Sequence, residues 1–83
     1  RLTRLLIEEK TAAYILDKAS ALGAEELTAA VTARWSEEGV WYPQSVRLAG
    51  AVEPAAREAL SAWMEAELGI LPEHQTWSVD YGA

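Results

Sequence analysis

The residues that could do chemistry in this chain are few and scattered. His74 is the one histidine, and it lies between Glu73 and Gln75 with Asp80 further along. Glu73, His74 and Asp80 are the side-chain types that hold divalent metals, but their spacing matches no metal-binding or acid–base pattern. A lone histidine in a connecting segment is more often a solvated surface residue. Serines are present, yet none sits in a nucleophile elbow. Glu8-Glu9 and Glu37-Glu38 are adjacent carboxylates on a helix and a turn, where such pairs are usually solvated. They are not expected to face each other across a substrate cleft. The glycines stand singly at turns and form no phosphate cradle. There is no cysteine, so thiolate chemistry and disulfides are both absent. The chain reads as a non-enzyme, with no catalytic, cofactor-binding or metal-binding residue to name and no cofactor expected.

Aromatic surface is the more unusual feature. In the stretch "ARWSEEGVWYPQ", Trp35 and Trp41 flank an acidic turn and Tyr42-Pro43 follows at once. Buried Trp, Tyr and Arg dominate the energetics of protein interfaces. Trp41, Tyr42, Arg34 and Arg47 are therefore the candidate interface residues. A plainer reading, in which Trp41 merely lies over Pro43 and Arg34, competes with this one.

Bulk properties narrow the partners. Eighty-three residues make one domain, here residues 1–83, and 51% of them are hydrophobic. A core of modest size must supply the stability. Seven basic against thirteen acidic residues give a formal charge of −6. That charge repels phosphate backbones, so nucleic acid is not an expected partner. No apolar run approaches the ~20 residues that span a bilayer.

Periodicity divides the chain into five elements. A helix over about 3–22 carries Leu5, Ala12, Ile15, Leu16, Ala19 and Leu22 on one face, with Glu8, Glu9, Asp17 and Lys18 largely opposite. Gly23 ends it. A strand over 26–35 alternates Leu27, Ala29, Val31, Ala33 and Trp35 with polar or small residues. A second strand over about 40–52 places Val46, Leu48 and Val52 on a shared face, and Pro43, which cannot donate to a ladder, is expected to put its first end at an edge or a bulge. Pro54 opens a helix to Leu68, striped by Ala56, Leu60, Trp63, Met64 and Leu68. Gly69 closes it, with Ile70 set to pack back on the last turn. A last strand over about 75–81 alternates Trp77, Val79 and Tyr81 with Thr76, Ser78 and Asp80. The result is α-β-β-α-β, an α+β domain of two layers with both helices on one face of a three-stranded sheet. The third strand can add beside either of the others.

The hairpin register follows from matching faces. A four-residue loop, Ser36 to Gly39, sets Trp35 against Val40, Ala29 against Val46 and Leu27 against Leu48. A five-residue loop pairs the two tryptophans but sets Ala29 against Arg47. Because a one-residue slip reverses every side chain, the four-residue loop is expected. It puts Trp35 in the core beneath the helices. Trp41 falls on the opposite face, across from Arg34, within reach of a cation–π contact.

With the elements placed, the chain resembles the soluble C-terminal domain of the stage III sporulation protein AF family of endospore-forming bacteria. The first helix "IEEKTAAYILDKASALG", the hairpin "VTARW…SVRLAG" and the second helix with its exit "ALSAWMEAELGI" carry the resemblance and cover most of the chain. It implies the ring-building motif, αββαβ, and a structural role in a transenvelope channel complex between mother cell and forespore. It also implies protein partners or self-assembly, with membrane contact only through two N-terminal transmembrane helices absent from this sequence. A chain opening on Arg1 fits a soluble fragment of such a membrane-anchored protein, monomeric when diluted. Small RNA-binding modules of the KH type share the element order but need a GXXG loop and a basic groove, which are missing. A ferredoxin-like ligand-sensing domain is the alternative.

Overall fold

The computed structural model describes residues 2–80. The chain runs α1 (Leu2–Ala21), β1 (Glu26–Trp35), β2 (Trp41–Ala51), α2 (Pro54–Leu68), a short 3-10 turn (Pro72–His74) and β3 (Gln75–Asp80). Tyr81, expected at the end of the last strand, lies outside the described residues. The architecture is α+β with two layers, the helices together on one face of the sheet. Strand order is β1-β2-β3, with β1 and β2 antiparallel and β2 and β3 parallel. The third strand therefore adds beside the second, which becomes the centre of the sheet.

The core lies between the layers. Ile15 of α1, Leu60 and Met64 of α2, Leu48 of β2 and Ile70 are wholly buried, and Leu27, Val31, Val46 and Val52 join them. Each large side chain so buried contributes about 1.5–3 kcal/mol. Ile70 does pack as the sequence suggests. Gly69 N–H donates to Glu65 O at 3.1 Å and Ile70 N–H to Met64 O at 3.2 Å, folding the exit back over the helix end. The first helix closes similarly, with Ala24 N–H on Ala19 O at 2.8 Å.

Among the described residues Gln75 is the buried polar one. Its Nε2 donates to Ile70 O (2.9 Å) and Ser61 O (3.2 Å), while its Oε1 accepts from Ser61 Oγ (2.6 Å) and Trp77 Nε1 (3.4 Å). One side chain thus ties α2, its exit and the start of β3 together. Satisfying all of its bonds is what allows an amide to sit in the core.

The hairpin differs from expectation, and the reason is a bulge. At the tip Trp35 pairs with Trp41, Arg34 with Tyr42 and Ala33 with Pro43. The loop is thus five residues, Ser36 to Val40, closed by Ser36 N–H on Val40 O at 2.8 Å. Gly39 supplies the left-handed residue this turn requires, at φ 84. The register then shifts between Thr32 and Ala33, leaving Gln44 as the extra residue of β2. Beyond it Val31 faces Val46, Ala29 faces Leu48 and Leu27 faces Gly50. The longer loop moves the register by one and the bulge by one more. Core residues therefore still face core residues, in partnerships different from those the sequence suggests.

Gly50 permits the closest strand approach. Its φ is 129, and a Cβ there would lie 1.9 Å from Glu26 O. Only glycine fits where β1 enters the sheet.

Candidate functional site: the hairpin tip and the open sheet face

The helices are unequal, and this shapes the surface. α2 packs beside the C-terminal half of α1, where Tyr14 meets Trp63 edge-on at 5.0 Å and Lys18 Nζ stands 6.0 Å from the Trp63 ring. The N-terminal half of α1 overhangs the hairpin without a second helix beside it. β3 begins opposite Val46, so Trp41 to Ser45 have no third strand alongside. The tip is consequently roofed on one side only.

Glu8 fastens that overhang. It belongs to the sheet-facing side of α1, not to the solvent side expected from its charge. Glu8 Oε2 accepts Ala33 N–H of the edge strand at 2.8 Å and Arg4 Nε at 3.1 Å. Its side chain is only 16% exposed. The Ala33 amide, then the Arg4 guanidinium, hold its carboxyl below the usual range, against the opposing effect of burial. A clue was present in the spacing: Glu8, Ala12, Ile15 and Ala19 recur at four, three and four, which places Glu8 within the apolar stripe.

The four candidate interface residues fall on two faces. Arg34 and Tyr42 lie opposite one another on the outer face of the sheet, and Arg47 lies further along it between Ala30 and Thr76. Arg34 and Arg47 are exposed, and Tyr42 is 38% exposed. Trp41 is a correction. The one-residue shift at the tip turns it to the helix side, where it meets Trp35 edge-on with ring centroids 5.3 Å apart. Its cationic neighbour is Arg4 of α1, 5.9 Å from the ring, and not Arg34. Trp35, expected in the core, ends β1 at the hairpin tip and is 59% exposed. Trp35 and Val40 are surface residues that the sequence reading missed. A five-residue loop places Val40 in the turn, whereas Trp35 keeps its place on the helix-side face in either register.

Two shallow hollows meet at Trp35 and Val40. One, about 420 Å³, is lined by Thr3 and Ile7 of α1 with Trp35, Gly39, Val40 and Trp41. The other, about 480 Å³, is lined by Trp35, Ser36, Glu37, Glu38, Val40 and Tyr42. A third hollow lies at the opposite end of the sheet, among Gly23 to Glu26 and Ala51 to Glu53. Among the described residues no group of three or more His, Cys, Asp or Glu side chains is placed to hold a metal ion. His74 is half-buried in the 3-10 turn, its amide donating to Leu71 O at 2.8 Å.

The outer face of the sheet is flat and small-sided. Thr28, Ala30, Thr32 and Arg34 of β1, Ser45, Arg47 and Ala49 of β2, and Thr76 and Ser78 of β3 share it. Among the described residues no layer covers this face. No described helix is long and apolar enough to cross a membrane. Comparison with protein-family models, with curated protein sequences and with solved structures gave no match.

Proposed function

We propose that this chain is a non-catalytic assembly domain that works by touching other proteins through its open sheet face. The bare side of the sheet is the observation that supports this. Both helices cover one face of this mixed sheet, and among the described residues the other face is bare. Its outer residues are mostly Thr, Ser and Ala, which let another backbone approach closely, and Arg34, Arg47 and Tyr42 supply anchors of the type interfaces favour. The element order is the one expected of a ring-building motif. The resemblance to the stage III sporulation protein AF family makes the specific proposal a structural part of the channel complex between mother cell and forespore. There the domain occupies the space between the two membranes. Tethering in a membrane plane raises the effective concentration, so individually weak contacts suffice.

The test places like charge on the open face. Thr32→Glu with Arg47→Glu, introduced into the full-length protein, is expected to abolish its co-purification with the complex while circular dichroism of the domain stays unchanged. Undiminished assembly with both substitutions in place would overturn the reading.

A further inference from the structure

The hairpin tip adjoins the open sheet face at Tyr42, and its chemistry is more specific. Trp35 is 59% and Val40 56% exposed. They form the common wall of the two hollows. On one side of that wall the lining is largely apolar: Ile7, Trp41 and the methyl of Thr3. On the other side stand Glu37, Glu38 and Tyr42. Both carboxylates are exposed and lack an ion-pair partner among the described residues. Arg4 does not neutralise them, being held by Glu8 and laid over Trp41.

We infer that the tip docks a segment of another protein in which an apolar side chain stands next to a lysine or arginine. The apolar side chain enters the hollow beneath the α1 overhang. The cation crosses the exposed face of Trp35 to reach Glu37 and Glu38, where ring and carboxylates attract it together. Two features set the occupant's chemistry. A second copy of this chain brings a formal charge of −6 toward another −6, which opposes pairing at an acidic tip. An added β-strand is also disfavoured along this stretch, because Pro43 has no amide to donate and Gln44 is bulged. Recognition therefore runs through side chains. The inference rests on the assembly reading and adds a partner chemistry to it.

The experiment titrates the whole chain with a short synthetic peptide alternating leucine and lysine, and with the same peptide carrying glutamate for lysine. Binding is followed by amide and indole N–H NMR shifts. Saturable binding of the lysine peptide is expected, with the largest shifts at Trp35, Trp41, Glu37, Glu38 and Val40. Glu37→Lys with Glu38→Lys is expected to weaken it about tenfold, and Trp35→Ala by on the order of tenfold or more. Trp35 lies outside the core, so the Trp35→Ala chain stays folded, and an unchanged dichroism spectrum verifies it. The inference is overturned if neither peptide binds or both bind equally. It also falls if the shifts gather at Ser45 and Arg47, or if the same residues respond instead to anionic vesicles or to self-association. Wild-type assembly by the charge-reversed tip in the full-length protein, together with peptide indifference, removes the tip inference and leaves the assembly reading intact. Peptide binding at the tip by a protein that joins no assembly removes the assembly reading alone.

Discussion

Replacing Glu8 isolates the contact that holds the overhang of α1 on the sheet. Two interactions are lost in Glu8→Ala. The hydrogen bond from Ala33 N–H at 2.8 Å goes to an ionised, mostly buried acceptor, and such bonds contribute about 1.5–3 kcal/mol. The Arg4 contact at 3.1 Å is an i,i+4 pair with a half-exposed arginine, worth about 0.3–0.5 kcal/mol. Ala33 itself is buried, but water entering the space the carboxylate leaves can take its place on the freed edge-strand amide, which returns part of the loss. A net destabilisation of about 1–2 kcal/mol is expected. Glu8→Gln keeps an acceptor but not the charge, and is expected to fall between the two. The sign of the pH dependence follows from the lowered carboxyl. Its contribution is complete above the ordinary value of 4.5 and is lost as pH falls through the lower value in the folded chain. Urea denaturation at about pH 6 and about pH 3 measures this, and the wild type should lose more stability between them than Glu8→Gln does. Hydrogen exchange supplies the local readout, since the Ala33 amide should be protected in the wild type and fast in Glu8→Ala. Equal acid sensitivity of wild type and Glu8→Gln, with an unprotected Ala33 amide in both, would refute the reasoning.

Other substitutions probe the rest of the frame. Gly50→Ala drives a Cβ to within 1.9 Å of Glu26 O at a φ of 129, and should cost on the order of 3 kcal/mol or more, read as a large fall in melting temperature. Gln75→Leu keeps the volume but leaves Ile70 O and Ser61 Oγ without their partner, and about 2–3 kcal/mol is expected by urea denaturation. Leu48→Ala, at a wholly buried site, should cost about 2–5 kcal/mol. Trp35→Ala should change stability by no more than about 1 kcal/mol, and a larger loss would mean that Trp35 is a core residue after all.

The elements were legible because each carries its own local signature. The apolar stripe of α2 between Pro54 and Gly69, and the alternation from Leu27 to Ala33, need no partner to be recognised. What stayed hidden depends on pairs of elements. Pro43, which cannot donate to a ladder, marks this end of β2 as an edge or a bulge, and the bulge falls beside it at Gln44; matching faces over an uninterrupted ladder does not take it into account. That single residue reverses Trp41 while leaving Val46 and Leu48 in the core. Trp35 alternates with the core residues of β1, yet it is the last residue of the strand at the tip and is 59% exposed, so alternation alone does not decide burial at a strand end. The charge of Glu8 points to solvent, whereas the edge amide of Ala33 makes an inward position favourable. Gln75 shows the same dependence on context, since its four partners come from three parts of the chain. The open sheet face, by contrast, was present in the sequence as the alternate set of Thr, Ala, Ser and Arg. Of the four interface candidates, Arg34, Tyr42 and Arg47 lie on it.

Site-specific photocrosslinking of the full-length protein in its own cells addresses the central claim most directly. A photoreactive side chain at Thr32, in the middle of the open sheet face, is compared with one at Glu58 or Glu65 on the exposed side of α2. Protein adducts from Thr32 and none from the α2 positions are expected. Adducts from α2 alone, or a Thr32 probe that captures no protein while the complex is assembled, would contradict the account.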